Sequence, residues 1–142
     1  MKGKILIGIS GGVDSSVSLK ILKDKGYQVE ALYMKNWDED DYQQGCNAKE
    51  DLEYASDVCN KLDAKLNTAN FSDEYWNKIF TKFLDSYKSG YTPNPDILCN
   101  KYIKFKVFIE HAKKLGFDKV ATGHYAKIVK KNNFLYLKVP LD

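Results

Sequence analysis

Apolar and polar residues alternate along the chain in blocks that predict strands and helices in turn. Lys4 to Ile9 is a nearly continuous apolar run, which is typical of a strand covered on both faces of a parallel sheet. A periodic run from Ser15 to Lys25 predicts a helix that ends at Gly26. Gln28 to Met34 is a second apolar strand, so the chain begins with a β-α-β unit.

The same patterns continue to the end of the chain. Helices are predicted over 48–62, 72–88 and 97–115, strands over 65–69 and 119–122, and a hairpin over 126–138. We expect the apolar stripes of the last two helices to be buried: Tyr75, Trp76, Ile79, Phe80, Phe83, Leu84 and Tyr87 in one, and Ile97, Ile103, Val107, Phe108, Ala112 and Leu115 in the other. The prediction is one α/β domain over 1–142, a twisted parallel sheet with helices on both faces.

Composition narrows the class of protein. The 142 residues are 44% hydrophobic and 29% charged, which is typical of a soluble globular protein. No apolar run approaches the ~20 residues of a membrane span, and no signal peptide is visible, so we expect a cytoplasmic protein without a membrane partner. The formal charge of +3 does not by itself indicate nucleic acid. All 22 basic residues are lysines, which excludes base recognition by arginine forks.

The cysteines and the acidic residues do not indicate a metal site. Cys46, Cys59 and Cys99 are an odd number without a Cys-x-x-Cys pair, which favours neither a disulfide framework nor zinc. Cys59 lies on an apolar helical stripe and is predicted to be inert packing. The acidic run 38–41 is more typical of a solvated loop than of a cation site.

Residues 10–16, Ser-Gly-Gly-Val-Asp-Ser-Ser, join the first strand to the first helix. Gly11 and Gly12 are expected to allow positive φ and a close approach of backbone to ligand, and the helix start favours an anion. A Walker A loop would have Lys-Ser or Lys-Thr after its last glycine, and this loop does not. The alternative is a simple turn in which Asp14 or Ser15 caps the helix.

A second candidate site spans Pro93 to Asn100. Cys99 lies in the first turn of a helix that follows a proline-stiffened loop, where the helix dipole stabilises a thiolate. Asp96, three residues earlier, is an N-cap or a carboxylate that could move a proton. A lone cysteine at a helix start is also commonly structural, so both interpretations stay open at this point.

Four segments carry a resemblance to a known family. Residues 10–15 resemble the PP-loop of the ATP pyrophosphatases. Together with 34–37 (Met-Lys-Asn-Trp), 92–100 (Thr-Pro-Asn-Pro-Asp-Ile-Leu-Cys-Asn) and 121–126 (Ala-Thr-Gly-His-Tyr-Ala), they make the chain similar to the tRNA-specific 2-thiouridylase family over essentially its whole length. The resemblance implies a Rossmann-like, adenine nucleotide alpha hydrolase-like PP-loop domain that uses ATP with Mg²⁺ and acts on tRNA.

The resemblance also implies roles for individual residues. The residues expected to hold the ATP phosphates are Gly8, Ile9, Ser10, Gly11, Gly12, Val13, Asp14 and Ser15. Met34 and Gly123 would flank the adenine and ribose, and His124 would contact the tRNA. The residues expected to contact the flipped-out wobble uridine are Asn94, Pro95 and Asp96. Cys99 and Asp96 would be the catalytic pair.

The implied reaction is adenylation of the C2 carbonyl oxygen of uridine, followed by replacement of that oxygen with sulfur. In the family a second cysteine well downstream carries the sulfur as a persulfide, supplied by a cysteine desulfurase or a relay carrier, and Cys99 releases it and leaves a disulfide. Family members continue through roughly as much chain again, with domains that grip tRNA. We therefore expect these 142 residues to bind ATP without completing thiolation.

Two other functions fit the same residues. One is another PP-loop ATP pyrophosphatase or synthetase, which would need no cysteine equivalent to Cys99. The other is a nucleotide-binding or tRNA-binding module without catalysis. Both would retain the glycine loop, so the loop alone does not separate them from a thiouridylase.

Overall fold

A four-stranded parallel sheet forms the centre of the molecule. The structure, a computed structural model, describes residues 2–35, 48–94, 97 and 100–139. The strands are β1 (Lys2–Ile9), β2 (Tyr27–Lys35), β3 (Leu66–Asn70) and β4 (Lys119–Ala121), in the spatial order β3-β2-β1-β4. Every pairing is parallel, as the apolar runs predict.

Helices α1 (Val13–Asp24) and α2 (Ala48–Lys61) cover one face of the sheet. Successive side chains of a strand point to opposite faces, so Ile5, Ile7 and Ile9 of β1 turn together toward these helices. They pack with Leu19 of α1 and with Ala55 and Cys59 of α2 in one buried cluster. The prediction that Cys59 lies on an apolar stripe of its helix is confirmed.

The opposite face is covered by the later helices. One helical run consists of α3 (Ser72–Tyr75), a π-helical segment π1 (Trp76–Phe80) and α4 (Thr81–Lys88). The other consists of π2 (Asn100–Val107) and α5 (Phe108–Lys114). Leu6 and Leu32 of the sheet pack with Phe108 and Ala112 of α5. The prediction of helices on both faces is therefore confirmed.

Parts of the predicted apolar stripes are wrong. Ile79 is fully buried, but Leu84 is 38% exposed and Tyr87 is 65% exposed. In the other helix, Ile97 is 63% exposed and Leu115 is 48% exposed. A π-helix bonds each residue to the fifth rather than the fourth along, so π1 rotates α4 away from the register that an uninterrupted 3.6-residue period predicts.

The order of the strands creates a switch point beside β1. The chain passes from β1 to β2 to β3 on one side and then returns to place β4 on the other side of β1. The carboxyl ends of β1 and β4 therefore diverge into two neighbouring loops, residues 10–12 and 122–126. A crevice between such loops is the usual ligand site of open α/β sheets.

The predicted hairpin forms a separate two-stranded sheet. Strands β5 (Lys127–Lys131) and β6 (Phe134–Lys138) pair antiparallel through a turn in which Asn132 and Asn133 have φ of 49° and 63°. Positive φ at both turn residues is the two-residue turn that suits the twist of a hairpin. Its apolar side chains remain exposed: Ile128, Phe134, Leu135, Tyr136 and Leu137. None of the helices in the described residues is long and apolar enough to cross a membrane.

Candidate active site

A cavity of about 470 Å³ opens at the switch point. It is bounded by the loop after β1, the start of α1, the end of β2 and the loop after β4. The sequence-predicted site residues in its wall are Gly8, Ile9, Ser10, Gly12, Val13, Asp14, Ser15, Met34, Gly123 and His124. The fold thus brings two distant motifs of the sequence to one crevice.

Hydroxyl groups hold the loop after β1 in shape. The Ser10 amide donates to Ser15 Oγ at 3.2 Å, and the Gly12 amide donates to Ser10 Oγ at 3.4 Å. Ser15 Oγ and Ser16 Oγ both donate to the Gly12 carbonyl, at 3.3 Å and 2.8 Å. Ser15 is only 5% exposed. The hydroxyls of all three serines therefore bind the loop itself, and the Ser10 side chain is also exposed at the cavity.

Helix α1 begins two residues closer to the strand than predicted. Its N-cap is Gly12, with φ of −79°, and no side chain caps it, so the alternative in which Asp14 or Ser15 is the N-cap is wrong. The amides of the first turn have no partner within the helix. Because Val13, Asp14 and Ser15 line the cavity, this turn presents N–H groups and a positive dipole end to a bound anion.

The two glycines of the loop have different backbone conformations. Gly11 has φ of +81°, whereas the prediction of positive φ at Gly12 is wrong. Gly11 does not line the cavity. It lies against the first turn of α2, where an added Cβ would be 2.5 Å from the Asp51 carbonyl oxygen. Within the described part of the chain, an added Cβ on Gly12 would meet only Ser10 Oγ, at 3.4 Å.

The loop after β4 packs directly on the start of α1. A Cβ on Gly123 would lie 2.6 Å from the Ser15 nitrogen, so this position accepts only glycine without a backbone shift. Next to it, His124 Nδ1 and Thr122 Oγ1 share a hydrogen bond of 2.8 Å. The bond orients the exposed imidazole at the cavity mouth.

Met34 and Gly8 form the floor on the side of α5. A Cβ on Gly8 would lie 3.1 Å from Met34 Cε and 3.5 Å from Phe108 Cε1. Met34 also packs against two of the buried clusters. It therefore fills the core, as a lone methionine usually does, and at the same time supplies an apolar surface to the cavity.

The second predicted site is only partly within the described residues. Asn94 is exposed and does not line the cavity. Pro95, Asp96 and Cys99 lie outside the described residues, as do Cys46 and the acidic run 38–41. Helix π2, however, begins directly after Cys99, and its Phe105 ring lies 5.6 Å from the His124 ring at a tilt of 32°. The helix that follows the Pro-Asn-Pro segment therefore reaches the edge of the cavity.

Comparison with known proteins identifies the family. A family model described as the tRNA methyl transferase HUP domain matches residues 3–142. The chain belongs to this family. The resemblance noted in the sequence is confirmed as well, since the chain is similar to proteins named tRNA-specific 2-thiouridylase MnmA: 60% identity over 139 residues with that of Vesicomyosocius okutanii and 55% over 137 residues with that of Legionella pneumophila.

These alignments cover 98% and 96% of this chain but only 38% of each relative. Solved structures agree on the fold. The U34-tRNA thiolase NcsA from Methanococcus maripaludis has a TM-score of 0.58 at 20% identity, over 87% of this chain and 39% of that one. The NMN synthetase of Francisella tularensis has a TM-score of 0.52 at 21% identity, over 84% and 44%. The predicted α/β fold is confirmed.

Within this HUP domain, three cavity residues were missed by the site prediction: Tyr33, Asp51 and Thr122. Thr122 belongs to the Ala-Thr-Gly-His segment, so the motif itself could have indicated it. Tyr33 precedes Met34 at the end of β2, a position that the switch-point rule also favours. Nothing in the local pattern indicates Asp51, because its place depends on how α2 packs against Gly11.

Cys59 is the cysteine that the described residues contain, and it is a free thiol with 1% exposure. Burial raises the pKa of the Cys59 thiol, although the charge of Lys23 acts in the opposite direction. The prediction that Cys59 is packing is confirmed, because a neutral buried thiol is a poor nucleophile.

Proposed function

We propose that this chain is the ATP-binding, adenylating part of a tRNA-specific 2-thiouridylase. The observation that carries the proposal is the single cavity in which the Ser-Gly-Gly-Val-Asp-Ser loop meets the Gly-His loop, with π2 at its edge through the contact of Phe105 with His124. The names of the relatives support the same activity. The chain spans 38% of their length.

ATP would bind with its phosphates at the start of α1. The first-turn amides and Ser10 supply hydrogen-bond donors for phosphate oxygens. Met34 and Gly123 would flank the adenine and ribose, which is supported by the apolar floor around Met34 and by the close packing of Gly123 on α1. Gly11 would act indirectly, by allowing the loop to pack on α2.

The residues of the cavity also fit Mg²⁺. Asp14 and Asp51 line the same crevice as Ser10, and Mg²⁺ usually binds one or two carboxylates together with substrate phosphates. The described residues contain no cluster of three or more His, Cys, Asp or Glu side chains that could hold a metal ion by protein ligands alone. When bound, the ion would neutralise charge on the phosphates.

The proposed adenylation is an in-line displacement. The uridine O2 attacks the α-phosphorus of ATP, the bond to the β-phosphate oxygen breaks, and pyrophosphate leaves. The start of α1 stabilises the negative charge of the departing pyrophosphate. Sulfur then attacks C2, and the oxygen leaves with AMP, a far better leaving group than oxide.

For the sulfur step we propose the residues that the resemblance implies. Asn94, Pro95 and Asp96 would hold the extruded uridine, His124 would contact the tRNA, and Cys99 would release sulfur from a persulfide and form a disulfide. The position of π2 beside His124 supports this arrangement. A cysteine desulfurase or a relay carrier would supply the sulfur in the cytoplasm.

The test is exchange of labelled pyrophosphate into ATP by the 142-residue chain. We expect exchange that depends on unmodified tRNA, and none with tRNA already thiolated at the wobble position, because that tRNA has no C2 oxygen to adenylate. ATP binding without exchange would indicate a non-catalytic module. Exchange that needs no tRNA, or needs a small acid instead, would indicate another PP-loop enzyme.

A further inference from the structure

Three lysines surround one tyrosine on the surface formed by α4 and π2. Lys82 Nζ donates to the Tyr102 hydroxyl at 3.2 Å and lies 4.5 Å from the centre of its ring. Lys101 Nζ lies 5.4 Å from the same ring. Lys106 follows Tyr102 by four residues, about one turn of π2. We call these four residues the Tyr102 patch.

The positive charge of the Tyr102 patch is not neutralised by neighbouring carboxylates among the residues that the structure describes. The ion pairs found there are Lys20–Asp24 and Lys65–Glu30, which leave these three lysines out. The pKa of Tyr102 is lowered by the hydrogen bond from Lys82 and by the charges of Lys101, Lys82 and Lys106. All three lysines are exposed, so the charge faces solvent.

The chemistry of the patch favours a phosphodiester backbone. Lysine ammonium groups bind phosphate as point charges and show no preference for a base. A hydroxyl that accepts a bond from Lys82 can still donate its own proton to a phosphate oxygen. Aromatic side chains beside basic ones are the usual composition of surfaces that follow single-stranded nucleic acid.

The position of the patch connects it to the cavity. Tyr102 precedes Phe105 by three residues on π2, and the Phe105 ring contacts His124 in the cavity wall. A strand with one base in the cavity would extend its phosphates along the surface of this helix. We propose that Lys82, Lys101, Tyr102 and Lys106 bind the RNA backbone next to the nucleotide that enters the cavity. This inference rests on the proposed function, since it assumes an RNA substrate.

The test compares two triple variants of the 142-residue chain. In the first, Lys82, Lys101 and Lys106 become Ala. The control replaces three exposed lysines at the opposite edge of the sheet, Lys25, Lys114 and Lys119, with Ala and so removes the same charge. Alanine is the best helix former, so the helical positions should tolerate the change. Thermal unfolding followed by circular dichroism checks that both variants fold.

The measurement is tRNA binding by fluorescence anisotropy between 50 and 200 mM salt. Each lost phosphate contact lowers the slope of log affinity against log salt by about 0.7 to 0.9, so the patch variant should lose about 2 to 3 from its slope. Raising the salt from 50 to 200 mM should therefore reduce the ratio of wild-type affinity to variant affinity by roughly 20- to 40-fold. The control should lose little slope, and both variants should bind ATP like the wild type.

Each other result overturns the inference in a recognisable way. Equal slopes for the wild type and the patch variant would reject the patch and leave the proposed function intact. Equal losses in both triple variants would show a general charge effect. Polyglutamate that competes as well as tRNA would indicate an acidic protein as the partner. No tRNA binding by the wild type, with ATP still bound, would reject the tRNA substrate and the patch together.

Discussion

Gly11 and Gly12 are adjacent in the sequence but meet different surroundings in the fold. Gly11 combines positive φ with the backbone of Asp51 at close range, whereas Gly12 has ordinary extended φ and faces the cavity. The first glycine is needed for packing, and the second leaves space in the cavity beside the helix start. The sequence alone makes them look equivalent.

We predict that Gly12→Val weakens ATP binding and leaves the fold intact. Among the residues that the structure describes, the new Cβ comes close to Ser10 Oγ and to no backbone atom outside its chain neighbours, and the side chain occupies space beside the helix start. The N-cap position should cost about 1 kcal/mol at most. ATP affinity, measured by calorimetry, should fall at least about tenfold, equivalent to about 1.4 kcal/mol.

Gly11→Ala is the matched comparison. Strain at positive φ and the clash with the Asp51 carbonyl should lower the free energy of unfolding by about 2 to 4 kcal/mol. If Gly12→Val bound ATP normally, the phosphate site would not be at this turn. If Gly11→Ala were as stable as the wild type, the assigned packing role would be wrong.

Cys59 should be protected from alkylation in the folded chain. Burial raises its thiol pKa, so the neutral form is favoured in the fold. The stability that depends on the neutral thiol is therefore present in full below the pKa of the unfolded thiol, and it is lost as pH rises through the folded pKa. Labelling by iodoacetamide at pH 8, followed by mass spectrometry, should be at least about a hundredfold slower than in urea, because exposure needs local opening. Equal rates would contradict the burial of this side chain.

At the scale of elements, π2 joins the helical layer to the edge of the cavity. Its inner residues Ile103 and Val107 are buried with Phe71 and Ile79, and its Phe105 contacts His124. A helix anchored on one side by the core and on the other by a ring contact has little freedom to move away from the cavity.

Phe105→Ala should weaken the step that needs tRNA and spare ATP binding. An aromatic pair contributes about 0.5 to 1.5 kcal/mol, so pyrophosphate exchange with tRNA should fall about 2- to 10-fold. Phe105→Tyr should retain the contact and the rate. Phe83→Ala is the control, because Phe83 stacks on Tyr87 at 6.2 Å within α4. An equal loss in the control would show a general effect on the helices.

At the scale of the whole molecule, the sheet and the hairpin differ in how they are covered. The four-stranded sheet is packed by helices on both faces, whereas the hairpin exposes Leu135 at 71% and Leu137 at 77%. Exposed apolar residues on a two-stranded sheet with open edges promote association. We therefore expect the hairpin to promote self-association of the chain.

Replacing Leu135 and Leu137 with Thr should reduce self-association of the chain without affecting ATP. Both side chains are already in water, so the change should cost less than about 0.5 kcal/mol, and Thr keeps the strand propensity. Sedimentation velocity should show less large species at the same concentration, with unchanged ATP affinity. The matched change Leu6→Thr, at a fully buried site, should unfold the chain. Unchanged self-association of the double variant would show that another surface is responsible for it.

The sequence by itself determined the order of strands and helices, the helices on both faces and the glycine turn between β1 and α1. These follow from local signals: continuous apolar strands, helical periods and residues whose backbone preferences are strong. The motif at 121–126 and the loop at 10–15 could each be recognised separately as well. The strand order of the sheet was needed only to show that the two motifs lie side by side. The switch-point rule already indicated that ligands bind at the carboxyl edge of the strands.

The tertiary structure alone decided which of these residues share a cavity and which support it. Asp51 enters the site because α2 packs on Gly11, Phe105 meets His124 through π2, and Lys82 reaches Tyr102 from another helix. The outward turn of Leu84 and Tyr87 follows from π1. All of these depend on contacts between residues far apart in the chain or on a shift of helical period. A local pattern of apolar and polar positions contains no information about long-range contacts or about such a shift.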